Sequence, residues 1–471
     1  MLPQPTGRPD DPRTHIQGLL KKQAIQEAIV FTGKLQSQGT MDRELARWLL
    51  KEARSWHTAG FFAQQKQVCE WMLQYEPEHF EALHLLGFHA QTEGDFEQAE
   101  AYYRRALASN PEYAFSRLAL AQLRMMRTKF REGRKEYEAR FEAVTEANGP
   151  DWRGLPIPRW RGESLVGKRL YLWAEQGLGD MLMFAGFLPR LVADSPASIV
   201  LGMFPKLISL FARSFPGIEV EPIEHAAHVA LAPVVVNAFP QIEKLAAFAS
   251  VPFSLEPLRA AREYALKRGT FDYAAPLGDA MVCTMPEHRS AGCEGPYLSP
   301  DPARVAQMRS KLSALGPGRR VGISWRTQNM REATRNIPLK EWLPILSVPG
   351  CRFVSLQHQV SHGDVQAFCQ QNNCALWSDP AFDFVQDTEA LVALVSQMDE
   401  VITIDNSNVH LAGALGVQTT LLLPKGHNFR WPECEDEGTL WYKSVRTLRQ
   451  QELSDWMPAI ARAAESLLAS S

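Results

Sequence analysis

The sequence is poor in the features that would assign it to a membrane, a nucleic acid or a metal. No apolar run approaches the roughly 18 residues that a membrane helix needs. The N-terminal stretch MLPQPTGRPDDPRTH lacks the basic start and apolar core of a signal peptide. A cytoplasmic protein without membrane insertion is therefore expected. Net charge is only −3 over 471 residues, which excludes the bulk positive charge of a nucleic-acid binder. Cysteine is sparse: seven residues, at 69, 283, 293, 351, 369, 374 and 434. None forms a CxxC pair, and Cys369 and Cys374 lack a second pair at metal spacing, so free thiols are expected. Also missing are a Walker A loop, GxSxG and HExxH. No clear DxD pair is present to hold a nucleotide-bound metal. Any chemistry on a nucleotide is then expected to need no metal or cofactor, with Arg, Lys and a helix end supplying positive charge.

What the chain does have is a repeat, followed by an alternation. Phe62, Phe96 and Phe130 recur at a spacing of 34 residues, as do Gly60 and Gly94, Pro77 and Pro111, Leu86 and Leu120, and Tyr103 and Tyr137. This is the tetratricopeptide period. The clearest copy runs from Phe80 to Tyr113, marked by Leu83, Leu86, Gly87, Ala99, Tyr103, Ala106 and Pro111. Gly87 and Ala99 let paired helices touch, and Tyr103 fills the groove between them. Its neighbours depart from this pattern, with Cys69 at the Tyr103 position and Gly133 at the Ala99 position. Three repeats are expected within a helical domain over residues 1–147, after a degenerate helical pair before residue 45; a plain helical bundle is the other reading. Stacked repeats form a curved surface, which either binds a peptide or acts as a structural cap.

Residues 148–168, rich in Pro, Gly and Trp, read as an ordered linker. Strand–helix alternation follows. Strands are expected at 169–174, 198–203, 219–223 and 227–236, with helices at 180–193 and 205–214. After an interruption at 292–302, strands are expected at 320–325, 352–357, 375–378, 400–405, 419–424 and 444–448. Helices fall near 339–346, 364–370, 388–398 and 408–415, and a closing helix occupies 455–471. The pattern is an α/β fold of two Rossmann-like lobes, residues 169–300 and 301–454, facing a cleft. Open α/β sheets bind ligands at the C-terminal ends of their strands.

Three strand ends carry chemistry. Glu175-Gln176-Gly177-Leu178-Gly179-Asp180 follows the first strand. Here the glycines permit a tight turn, and Asp180 opens a helix as either a functional acid or an N-cap. In the second lobe, Asp405-Asn406-Ser407-Asn408-Val409-His410 ends a strand and opens the helix LAGALG. Its unpaired amides and dipole suit a phosphate, although Asn and Ser are also ordinary caps. A lone His410 is more often structural. Ser324-Trp325-Arg326-Thr327 ends that lobe's first strand, and Arg331 and Arg335 follow in its loop. These cations suit a pyrophosphate or form a solvated basic loop. Lys425 and Arg430 reach toward the same cleft, and Gln357 ends the strand suited to contact a nucleobase.

At these motifs the chain resembles bacterial tetratricopeptide-repeat proteins whose glycosyltransferase domain is like heptosyltransferases and O-GlcNAc transferase. The matching segments are PRWRGESLVGKRLYLWAEQGLGDMLMFAGFLPRL, VGISWRT, NIPLKEWLPIL, FVSLQ, DEVITIDNSNVHLAGALGV, NFRWPE and LWYKSVRTLRQQELSDWMPAI. With the repeats, they span residues 80–460. The resemblance implies a GT-B fold and an inverting sugar transfer from a nucleotide-sugar donor to a protein or peptide held by the repeats and the cleft. It implies that Asp180 is the catalytic base, with Gln176, Gly177 and Gly179 in the acceptor-side loop. It implies donor-phosphate contacts at Arg335 and along Asn406, Ser407, Asn408 and His410; with Trp325, Arg326, Gln357 and Lys425 from the strand ends, these make up the expected donor site. Asn406 departs from the family's threonine. Two alternatives remain: an inactive scaffold that binds a protein partner, and a transferase acting on a lipid or saccharide.

Overall fold

The computed structural model describes residues 11–21, 24–54, 56, 61–140, 142, 157–223, 271–285, 295–327, 335–358, 360–384, 386–432 and 438–469. The expected strand at 227–236, Arg331 and the first half of the expected linker lie outside them. The chain divides into two compact units. One contains the described residues up to Leu123 with those of 135–143; the other contains 124–134 and the rest.

The first unit is helical. Its helices span Pro12–Lys21, Ile25–Ser37, Arg43–Ala53, Phe62–Tyr75, Phe80–Thr92 and Phe96–Ser109, and most of Ala114–Met126 belongs to it. Carboxylates placed just before the first turn start several of them: Asp42 accepts from Leu45 N at 2.7 Å, and Asp95 from Gln98 N at 3.0 Å. Phe62, Phe96 and Phe130 each begin a helix, so the recurring phenylalanine marks the same structural point each time. Between Phe80–Thr92 and Phe96–Ser109, the ring of Tyr103 is fully buried. A Cβ on Gly87 would lie 2.6 Å from that ring, so only glycine admits it. Cys69, at the corresponding earlier position, is also fully buried, in a core with Leu45, Leu49, Val68, Met72 and Leu86.

The second unit holds two parallel sheets. In the first lobe the strands are β1 (Arg169–Trp173), β2 (Ser198–Met203), β3 (Glu219–Pro222) and β4 (Tyr273–Pro276), in the order β3-β2-β1-β4. The second lobe has β5 (Arg319–Ser324), β6 (Cys351–Ser355), β7 (Glu400–Ile404), β8 (Thr419–Leu423) and β9 (Val445–Arg449), in the order β6-β5-β7-β8-β9. β7 and β8 are buried along their whole length, as parallel strands covered by helices on both faces must be.

Several expectations are corrected here. The single helix expected at 180–193 is two, Leu178–Ala185 and Leu188–Ala193, because Pro189 opens the second. The strand expected at 375–378 is one bridge, Val354 to Trp377. β4 was not expected; its sequence, YAAP, has little strand propensity, and pairing with β1 makes it a strand. Part of the expected linker joins this sheet: Trp160 N donates to Ala274 O and Ala274 N to Pro158 O, both at 3.0 Å. Nearby, Arg159 Nη2 and Asp279 form a buried ion pair at 2.7 Å.

In each sheet the strand order reverses once, between β1 and β4 and between β5 and β7. Such a switch opens a crevice at the strands' C-terminal ends. The sequence motifs lie at these two crevices.

Candidate active site

At the first crevice, β1 runs into Glu175 and Gln176. Glu175 is buried, and its Oε1 accepts from Gly278 N at 3.0 Å, linking the loops beyond β1 and β4. Gln176 adopts φ +66°, the left-handed region that costs a non-glycine residue about 1 kcal/mol. Gly177 is extended, with φ −86° and ψ 170°. The tight turn expected from the glycines is therefore made by Gln176, and neither Gly177 nor Gly179 appears among the residues with positive φ. Asp180 stands at the third position of the helix Leu178–Ala185, where its Oδ2 accepts from Gly177 N at 3.2 Å. This is a capping contact, worth about 1 kcal/mol.

Capping uses only one carboxylate oxygen. The other, Oδ1, accepts from Arg430 Nε at 2.5 Å, an ion pair between the two lobes. Asp180 is 7% exposed. The Arg430 backbone is pinned on both sides: its N–H donates to Asn428 Oδ1 at 3.0 Å, and its carbonyl accepts from Trp441 Nε1.

The second crevice is closed by a polar network. Asn406 caps the helix Ser407–Leu415, its side chain accepting from Asn408 N at 2.9 Å, and it donates to Ser324 Oγ at 2.7 Å. Asn408 is buried and donates to Ser324 Oγ at 3.0 Å and Leu356 O at 3.1 Å. Gln357 is buried too. Its Oε1 accepts from the backbone of Trp325 and Arg326, both at 3.0 Å, and its Nε2 donates to the carbonyls of Arg326 and His358, both at 3.2 Å. The side chains of Asn406, Asn408 and Gln357 thus lock the ends of β5, β6 and β7 together. Trp325 belongs to the lobe's apolar core, whereas Arg326 is exposed. Ser407, the first residue of the helix, is partly exposed.

Behind the helix start, Arg335 Nη1 donates to Asp405 O at 2.6 Å and pairs with Asp405 Oδ2 at 2.5 Å. Burial lowers the Arg335 guanidinium from its ordinary value. Burial also pushes the Asp405 carboxyl up, but Arg335 and Arg430 outweigh this and hold it below its ordinary range. His410 is buried between the lobes. Its ring stacks on Trp431 at 5.1 Å between centroids, and its Nδ1 lies 3.0 Å from Tyr442 Oη. Burial above all, with Arg430 and Arg335 adding to it, lowers His410 to about 4. It is a neutral packing residue near neutral pH. Gly179 also abuts the ring: a Cβ there would come within 2.8 Å of His410 Cδ2.

The structure therefore brings together Asp180, Gly179, Arg335, Ser407 and His410. Lys425 is elsewhere: its Nζ faces Glu452 at 3.6 Å, at the surface beside β9. Arg430, Trp431 and Tyr442 complete the cluster. In the sequence Trp431 and Tyr442 had no individual place in it and Arg430 only a general one; the NFRW and LWY segments were the available signal. Further interlobe contacts support the cluster. Arg213 Nη2 pairs with both Glu389 oxygens at 2.9 and 2.7 Å, and Phe187 meets Trp441 edge-on at 6.0 Å. Chemically, the cluster offers a positioned carboxylate opposite a helix N-terminus and two guanidiniums.

No family model matches the chain. Protein FlbA of Caulobacter vibrioides is 31% identical over 404 residues, covering 84% of this chain and 62% of its own length. The chain thus spans less than two thirds of this curated relative. Among solved structures, a glycosyl transferase family 9 protein from Veillonella parvula aligns at 13% identity and TM-score 0.47, over 66% of this chain and 100% of its own. ADP-heptose LPS heptosyltransferase II of E. coli aligns at 13% and 0.39, over 64% and 99%. O-GlcNAc transferase of Thermobaculum terrenum aligns at 13% and 0.26, over 90% and 93%. These structural likenesses are too slight to carry an argument. No helix of the described residues is long and apolar enough to cross a membrane.

Proposed function

We propose that the chain is a GT-B glycosyltransferase that moves a sugar from a nucleotide-sugar donor to a hydroxyl of a protein or peptide, with inversion and without a metal. In this reading its helical unit is a tetratricopeptide array that presents the acceptor. One observation carries the proposal: the helix start that bears Asp180 on the first lobe meets the start of the helix Ser407–Leu415 on the second at Gly179, and Arg430 of the second lobe pairs with Asp180. A carboxylate on one lobe and an anion-binding helix end on the other is what sugar transfer from a nucleoside diphosphate requires.

The donor diphosphate lies at the start of the helix Ser407–Leu415, in the field of Arg335 and Arg430. Asp180 takes the proton of the acceptor hydroxyl as it attacks the anomeric carbon; general-base help of this kind contributes about 10² to 10⁴ in rate. Charge developing on the leaving phosphate is stabilised by the helix amides and guanidiniums, more strongly in the transition state than before it. Asn406, Asn408, Gln357 and Trp325 hold the donor crevice in shape.

The test is a donor screen: purified protein with a panel of nucleotide sugars, reading binding by calorimetry and slow donor hydrolysis by nucleotide release. The expected result is micromolar to millimolar binding of one nucleotide family with measurable hydrolysis. A chain that binds none of them is not this enzyme. A pull-down with the full chain and with residues 165–471 tests the acceptor role, which requires that partner capture depend on the helical unit.

A further inference from the structure

Resting on that reading, we infer that Arg430 is a partner-exchanging residue: it holds Asp180 in the empty protein and passes to the donor diphosphate when donor binds, so that the base is released only with donor in place. The geometry separates Arg430 from the other guanidinium of the cluster. Arg335 is bound twice by Asp405, through the carbonyl and the carboxylate, and is almost completely buried. Arg430 instead meets Asp180 through Nε, with its side chain 20% exposed. The backbone at Arg430 is pinned by Asn428 and Trp441, so exchange needs only side-chain rotation. Charge balance points the same way. Within the cluster the two aspartates and two arginines cancel, and neutral His410 adds nothing, so a diphosphate bound beside Arg430 competes with Asp180 for its charge.

Asp180 is also built to survive the exchange. Its Oδ2 still accepts from Gly177 N, which keeps the carboxylate oriented while Oδ1 loses Arg430. During transfer the acceptor hydroxyl proton goes to Asp180 Oδ1, and the acceptor oxygen bonds to the anomeric carbon. The bond from that carbon to the phosphate oxygen breaks, and its electron pair stays on the phosphate, where Arg430 now sits. Without donor, Asp180 remains in its ion pair and is not available to activate water or acceptor.

The test is a double-mutant cycle on nucleoside diphosphate binding by the full chain, using ADP, GDP, UDP, CDP and dTDP as probes in calorimetry. Arg430→Gln should weaken the bound diphosphate about tenfold or more. Asp180→Asn should tighten it severalfold, because no ion pair has to be broken. In the Arg430→Gln background that gain should vanish. Simple charge repulsion from Asp180 would leave the gain intact in both backgrounds, and that result overturns the exchange. So does an unchanged affinity in Asp180→Asn. If no diphosphate binds wild type or Asp180→Asn, the glycosyltransferase reading itself fails, and the exchange with it. Thermal unfolding is followed for each variant, and Arg430→Met, which keeps the packing over Phe429, replaces Arg430→Gln if the latter does not fold.

Discussion

Gly179 leaves the space that His410 occupies: a Cβ on Gly179 would lie 2.8 Å from His410 Cδ2 and 3.5 Å from Ser407 Cα. The glycine of the first-lobe motif therefore serves the approach of the two lobes. His410 has little room to yield, because its ring is stacked on Trp431 and its Nδ1 meets Tyr442 Oη. Gly179→Ala should destabilise the second unit by about 1–3 kcal/mol through overpacking, less the helix-propensity gain of up to about 1 kcal/mol. Chemical denaturation checks this; an alanine variant of wild-type stability would show that the lobes do not close on this glycine.

His410 also sets a pH dependence. Its folded value, about 4, lies below the ordinary histidine value, because burial disfavours the charged ring. The unfolded chain then binds the extra proton. Stability is full above about pH 6.5 and falls as pH drops toward 4, at up to about 1.4 kcal/mol per pH unit for this group. His410→Gln should remove that part of the slope. Urea midpoints at pH 7.5, 6 and 5 measure it, and an unchanged slope would locate the effect in other groups.

Asp180→Asn should bind donor no more weakly than wild type and lose about 10² to 10⁴ in transfer rate. Single-turnover assays with radiolabelled donor separate the two quantities. Undiminished transfer would remove Asp180 as the base.

Asn408 is buried with its amide committed to Ser324 and Leu356. Asn408→Ala removes the side-chain donor to Leu356 O and one of the two amides that donate to Ser324 Oγ, and should cost about 1–3 kcal/mol of stability. It should weaken nucleotide binding by loosening the ends of β5 and β7. A variant that loses binding at unchanged stability would instead point to direct contact with the ligand.

In the helical unit, Gly87 lies against the Tyr103 ring at a distance that no side chain tolerates. Gly87→Ala should cost about 1–3 kcal/mol, and Tyr103→Ala about 3–5 kcal/mol. Thermal denaturation followed by far-ultraviolet dichroism reads both. A stable Gly87→Ala would mean that the helix pair can spread without penalty.

Local motifs were readable wherever one short stretch contained both the structural and the chemical signal. β2 was legible because SIVLGM is apolar on both faces, which a buried parallel strand demands. The helix starts at Leu178 and Ser407 were legible because a strand, a turn and capping residues follow one another in sequence. β4 was not, since Ala and Pro say little about pairing until β1 is beside them. ALWS has the apolar residues of a strand, yet it makes one bridge, at Trp377, and a turn closed by Phe382 N on Asp379 O follows.

The sequence by itself determined that a helical region with a 34-residue recurrence precedes two α/β lobes, because hydrophobic period and breaker residues act over a few turns of chain. It also placed Asp180 and Ser407–His410 at helix starts. Only the tertiary structure decided what those residues face. The contact between Asp180 and Arg430 joins positions 250 apart, and no periodicity encodes such a pair. Folding likewise committed Asn406, Asn408 and Gln357 to one another's loops, since buried polar groups must be satisfied by whatever the fold brings near. It turned His410 into a packed, neutral ring and paired Arg430 with Asp180.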